Sequence, residues 1–167
     1  MREMTEGNLK AAFGGESQAN MKYLAFAEKA EKEGFGNVAR LFRAVAFAEQ
    51  AHAVNHLRIV GGLGSTSDNL ETAIDGETFE VDEMYPAYIA VAEEQGEKQA
   101  ERSMNWALEA EKIHAEMYAA AKKAVDGGSD VDIGTLWICG MCGYTVEGEP
   151  PDKCPICGSP RERFKSF

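Results

Sequence analysis

The sequence predicts a mainly α protein, a four-helix bundle over residues 1–130 followed by a small β/loop metal domain over 134–167. Three observations predict it. Glu49-Gln50-Ala51-His52 and Glu111-Lys112-Ile113-His114 repeat one motif, and each follows a glutamate at nearly the same distance, Glu16 by 33 residues and Glu77 by 34. Apolar residues recur at helical spacing and stop at glycines. All four cysteines lie between Cys139 and Cys157, as two Cys-x-x-Cys pairs.

Residues 5–33 read as the first helix. Leu9, Ala12, Phe13, Met21, Leu24 and Phe26 keep the helical period, no proline interrupts, and Thr5 is a candidate N-cap. Gly34-Phe35-Gly36 breaks it. Asn37 can cap the second helix, which runs through Leu41, Phe42, Val45, Phe47 and Leu57 to Gly61-Gly62. Residues 62–70 read as a Gly/Ser-rich loop, with Ser67-Asp68-Asn69 as turn or cap residues. A third helix starts near Leu70 and runs to Gln95, with a kink expected at Pro86, which lacks the N–H a helix interior needs. Gly96 turns the chain into a fourth helix over about 97–125. Gly127-Gly128-Ser129-Asp130 ends it and opens a linker.

Glutamate and histidine three residues apart share a helix face. On any one helix that pattern is commonly just a solvated surface. The joint spacing is what selects a metal site. In an antiparallel hairpin, residues equidistant from the turn sit level. The midpoints of Glu16/Glu49 and Glu16/His52 fall at 32.5 and 34, beside Gly34, and those of Glu77/Glu111 and Glu80/Glu111 at 94 and 95.5, beside Gly96. The ligand candidates of each hairpin therefore meet at one height, roughly 25 Å from its turn. Carboxylates can bridge two irons while an imidazole completes each, a pattern established for di-iron helix bundles. The hairpins differ at one place: Glu77 has a companion at Glu80, whereas Glu16 is followed by Ala19 and Asn20, so the two metals should have unequal ligand sets. His56 shares a face with Glu49 and His52, but it lies about 6 Å further along the axis, and Tyr118 takes the equivalent place in the second hairpin. It is read as a non-ligand, and Glu93, Glu94 and Glu109 as ordinary helix acids. Tyr23 and Tyr85 fall two turns beyond Glu16 and Glu77, where a phenol can serve either as a carboxylate's hydrogen-bond partner or as core packing.

The net charge of −11 is unevenly placed: residues 134–167 carry four acids and four bases, so the excess belongs wholly to residues 1–133. Such a body is a poor surface for nucleic acid. The polar opening Met1–Gly7 does not read as a signal peptide, and no apolar run approaches a membrane span. A cytoplasmic protein is expected. In that setting Cys139, Cys142, Cys154 and Cys157 point to a tetrahedral thiolate site, for iron or zinc, rather than to disulfides.

Taken together, these residues resemble the rubrerythrin family. The resemblance covers nearly the whole chain and rests on Gly15-Glu16-Ser17-Gln18-Ala19, both Glu-x-x-His motifs, Gly76-Glu77-x-x-Glu80, Met84-Tyr85-Pro86 and the Cys-Gly-Tyr and Cys-Pro-x-Cys-Gly knuckles. It implies a ferritin-like di-iron four-helix bundle and a rubredoxin-like Fe(Cys)4 domain. It also implies reduction of hydrogen peroxide to water, with electrons entering through the rubredoxin-like iron from a rubredoxin or an NAD(P)H-dependent reductase. Carried over by position, Glu49 and Glu111 bridge the irons and Glu77 and His114 hold one of them. Glu16 holds the other, which moves between Glu80 when oxidised and His52 when reduced. Tyr23 and Tyr85 stand behind the ligands. A head-to-tail homodimer or higher oligomer is implied too, and the linker 126–135, read as too short to carry the tail back to its own site, agrees with that. Ferroxidase or iron storage, oxygen reduction, and a zinc-binding scaffold are the competing readings.

Overall fold

The computed structural model describes all 167 residues. The chain forms two compact units, Met1–Gly64 and Ser65–Phe167.

The first unit is a helical hairpin, α1 (Glu3–Lys32) and α2 (Gly36–Ile59). Helix α1 starts earlier than expected: Arg2 takes the N-cap position, and Thr5 lies inside the helix. Glu3 and Glu6 offset the positive end of the helix dipole there. The turn is closed by Gly34, at φ +86°, with Phe35 N–H bonded to Ala30 O at 2.8 Å and Gly34 N–H to Glu31 O at 3.0 Å. That geometry needs a residue without a Cβ. Asn37 does not cap α2, because the helix already begins at Gly36. The buried residues along the seam are alanines, Ala27 and Ala30 on α1 and Ala39, Ala46 and Ala53 on α2. The three on α2 recur every seven residues, so one stripe of small side chains runs down the helix and lets the backbones approach. Asn20 Nδ2 donates to Ala46 O at 2.7 Å across that seam. Met21, Leu41 and Phe47 stay more than half exposed.

The second unit opens with α3 (Thr66–Phe79). The expected loop is shorter than its composition suggested because Ser65 and Asp68 form a capping box: Ser65 Oγ accepts Asp68 N–H and Asp68 Oδ2 accepts Ser65 N–H at 3.1 Å. The third helix is not continuous. A π turn, Glu80–Met84, separates α3 from α4 (Tyr85–Gln95). Tyr85 N–H reaches back five residues to Glu80 O, and Pro86 then occupies the first turn of α4, where its missing N–H is harmless. Gly96, at φ +71°, leads into α5 (Lys98–Asp126). Lys122 on α5 pairs with Glu71 of α3 at 3.3 Å and with Asp126 at 2.7 Å.

The tail is a three-stranded antiparallel sheet in the order β2-β1-β3, with β1 Leu136–Cys139, β2 Thr145–Glu147 and β3 Phe164–Ser166. Ile138 lies opposite Thr145 on one side and Lys165 on the other. Its core is Cys139, Cys142, Cys154 and Phe164, with Trp137 and Tyr144 of the tail and Trp106 of α5 packed against it. The tail therefore rests on its own chain's α5, which corrects the expectation about the linker. Residues 127–135 can span about 30 Å when extended, while His114 lies only twelve residues, about 18 Å of helix, before the end of α5. No helix is long and apolar enough to cross a membrane.

Candidate metal centres

Each hairpin brings three of its predicted residues together. In the first unit, Glu16, Glu49 and His52 place one ligand atom each within 4.8 Å of the others. His52 Nδ1 lies 3.2 Å from Glu49 Oε2 and 3.9 Å from Glu16 Oε1. In the second, Glu77, Glu111 and His114 do the same, with His114 Nδ1 2.6 Å from Glu111 Oε2. The helical hairpin explains both clusters: Glu and His share a face on α2 and on α5, and the partner helix supplies a carboxylate at the same height.

The second cluster holds more negative charge than its surroundings compensate. Burial, then the hydrogen bond and charge of Glu111, push Glu77 up to about 7. Burial and the Glu111 charge also raise Glu80. Tyr85 is raised by burial and by the charges of Glu80, Glu111 and Glu77, which keeps its phenol protonated beside them. Crowded carboxylates with an imidazole are a donor set suited to a divalent or trivalent transition metal, and a bound cation would relieve the crowding. Glu80 stands at the first residue of the π turn, next to this cluster, through its effect on Tyr85 and that of Glu111 upon it. Tyr23 is placed differently from Tyr85. Its ring joins Phe26 and Phe42 in an aromatic group, with centroids 6.2 and 6.0 Å away. His56 is outside the first cluster, and its Nδ1 is buried without a partner.

The four cysteine sulfurs also lie within 4.8 Å of one another. Cys139 and Cys157 are 3.6 Å apart and Cys142 and Cys154 3.5 Å, far beyond a disulfide bond. Tetrahedral thiolates around one ion at about 2.3 Å have edges of about 3.8 Å, so the tetrad fits a single iron or zinc. Burial raises the Cys142 and Cys154 thiols. Burial opposes the Cys157 thiolate as well, but the Ser159 hydroxyl and N–H, with the neighbouring Cys142 and Cys154, bring it down to about 7. The knuckle glycines have distinct reasons. A Cβ on Gly140 would sit 3.1 Å from Arg163 O, and Gly143, at φ +81°, faces Ala110 of α5.

Two residues escaped the sequence reading. Thr145 on β2 lies with its Oγ1 2.9 Å from His114 Nε2, and Trp106 anchors the tail. Beside them His114, Met117, Tyr118, Leu136, Ile138 and Thr145 line a cavity of about 270 Å³. Thr145 and His114 are 31 residues apart, and no local pattern links them.

Comparison with known proteins agrees along the chain. The family model described as rubrerythrin matches residues 7–122, and that of the rubrerythrin rubredoxin-like domain matches 137–165. Rubrerythrin-2 of Clostridium acetobutylicum is 43% identical over 178 residues, covering 98% of this chain and 97% of the relative. Nigerythrin of Nitratidesulfovibrio vulgaris is 37% identical, covering 96% of this chain and 85% of its own. Solved nigerythrin structures, one in a mixed-valence and one in an all-ferrous state, align over 98% of this chain and 86% of theirs with TM-scores of 0.56 and 0.57. Matched from end to end by relatives of one kind, the chain belongs to the rubrerythrin family of iron-dependent oxidoreductases, with ferritin-like helices, a rubredoxin-like domain, a di-iron centre and one iron on four cysteines.

Proposed function

We propose that this protein reduces hydrogen peroxide to water at the di-iron centre, with electrons supplied through the rubredoxin-like domain. One observation carries the reading: a thiolate tetrad is packed onto the same helix, α5, that presents Glu111 and His114. A storage or ferroxidase protein has no use for a one-electron inlet there. When bound, the irons supply paired electrons for cleavage of an O–O bond.

The chain's own residues do the rest. In this reading, by family position, Glu16, Glu49 and His52 of the first unit and Glu77, Glu80, Glu111 and His114 of the second would hold the irons. The Tyr85 phenol, kept protonated by burial and by the charges of Glu80, Glu111 and Glu77, would be the proton donor available to those carboxylates. Tyr23 has the same assignment by family position; its aromatic neighbours give it a packing role as well. Cys157, the one cysteine of the four that is not buried, marks the side from which an external donor, a rubredoxin or an NAD(P)H-dependent reductase, reaches the tail. Free thiolate ligands suit the reducing cytoplasm. Exposed Met21, Leu41 and Phe47 favour a homo-oligomer, head-to-tail or otherwise.

The test is iron content together with anaerobic reoxidation of the reduced protein. Three irons per chain and stoichiometric reoxidation by peroxide support the reading. Reoxidation by dioxygen but not by peroxide favours the ferroxidase or oxygen-reductase alternatives. Sedimentation gives the oligomer.

A further inference from the structure

The tail touches one of the candidate ligands directly. His114 is held at both ring nitrogens, Nδ1 at 2.6 Å from Glu111 Oε2 and Nε2 at 2.9 Å from Thr145 Oγ1. Thr145 is 5% exposed, and its hydroxyl donates to Gly143 O at 3.0 Å. A hydroxyl has a single proton. With that proton directed at Gly143, the Thr145 oxygen must accept from His114. With Nε2–H given to Thr145, Nδ1 is the nitrogen left facing Glu111, and a metal bound there would displace any Nδ1 proton and leave the ring's one hydrogen on Nε2.

We propose that Thr145 is a positioning residue of the carboxylate metal centre, and that the rubredoxin-like domain is thereby a structural part of that centre. The inference rests on the reading of Glu77, Glu111 and His114 as metal ligands. The linkage is short. Gly143 follows Cys142 directly, and Tyr144 N–H bonds the Cys142 sulfur, so the thiolate site fixes the carbonyl that orients Thr145. Gly143 in turn lies against Ala110, one turn before His114 on α5. His52, the matching residue of the first unit, has no such partner on Nε2 and is half exposed. The two imidazoles are therefore unequal: His114 has a partner at each ring nitrogen, whereas His52 is met at Nδ1 alone, by Glu49 at 3.2 Å and Glu16 at 3.9 Å.

Zinc, which is diamagnetic, tests this without turnover. The full chain is first loaded at the thiolates, and zinc is then titrated against a chelator to fill the carboxylate centre. Thr145→Val keeps the shape and removes the oxygen, while Thr145→Ser keeps the oxygen. Thr145→Val should bind its thiolate zinc normally and lose about tenfold or more in affinity at the carboxylate centre. Thr145→Ser should lie within about twofold of the unsubstituted protein. In 15N-histidine spectra of the zinc-loaded protein, His114 should be metal-bound at Nδ1, with an Nε2 proton slow to exchange that becomes fast in Thr145→Val. Equal affinities for all three proteins, equal losses in both variants, or zinc on Nε2 of His114 would overturn the proposal. Failure of the unsubstituted protein to bind zinc at the carboxylates would instead remove the ligand reading beneath it, and the proposal with it.

Discussion

Glu77 makes the metal-free protein sensitive to pH. Its carboxyl rises from 4.5 to about 7 through burial first and Glu111 second. A carboxyl with a higher pKa folded than unfolded keeps its proton in the native state between the two values. The stability it confers is full below about 4.5 and is lost as pH rises through about 7. The full rise corresponds to at most about 3 kcal/mol. Glu77 is only partly buried, so solvent screening reduces the expected loss to about 1–2 kcal/mol. Both tryptophans, Trp106 and Trp137, lie in the second unit. Their fluorescence in urea therefore reports that unit alone, with zinc kept on the thiolates and a chelator clearing the carboxylates. The midpoint should fall between pH 5 and 8, and Glu77→Gln should flatten the fall. An unsubstituted protein with no fall, or a variant that falls just as far, would refute the account of charge crowding. The same proton must leave when metal binds, so zinc affinity at this centre should rise with pH up to about 7.

Cys142→Ser should abolish the red Fe(Cys)4 spectrum and donor-driven turnover while chemically reduced di-iron centres still react with peroxide; turnover surviving with its normal donor would contradict the relay. His56→Ala should leave two irons in the carboxylate centre, whereas His114→Ala should lose or loosen one, as read by metal analysis; equal losses would overturn the assignment. Glu80→Ala should still bind two ferrous ions but raise the di-iron potential, because the ferric form loses an anionic oxygen; a redox titration showing no change or a fall would return Glu80 to the status of a surface acid. Ala46→Leu should destabilise the α1–α2 hairpin by about 1–3 kcal/mol, seen as a lower urea midpoint in far-UV circular dichroism, because Ala46 is 1% exposed within a seam of alanines.

The two Glu/His clusters were legible because their cause is periodic. Glu49 and His52, or Glu111 and His114, share a face by helical geometry, and equal distance from Gly34 or Gly96 sets their height. The thiolate tetrad was legible from spacing alone. Boundaries were less so: Ser65 caps α3 through its partner Asp68, two positions before the Ser67-Asp68-Asn69 run that composition marks as a turn. Pro86 suggested a kink, and the chain instead has a π turn at Glu80–Met84, after which Pro86 falls in the first turn of α4. Tyr23 shows the limit of spacing, since a phenol two turns from Glu16 can equally join Phe26 and Phe42. Thr145 was illegible in principle. Its partner is chosen by how a separate domain docks on α5, and that depends on Trp106, Ala110 and Gly143 meeting in space.

The tail is leashed to its docking helix by only nine residues, 127–135, three of them glycine. A flexible tether of that length holds its cargo at an effective concentration on the order of millimolar. Docking of the tail on α5 is then a unimolecular event whose occupancy does not change when the protein is diluted. Dilution alone therefore does not lift the tail from its own helix. Lengthening the leash with glycine and serine would weaken docking slowly, roughly as the three-halves power of its length. Cutting it would turn one molecule into two that must find each other.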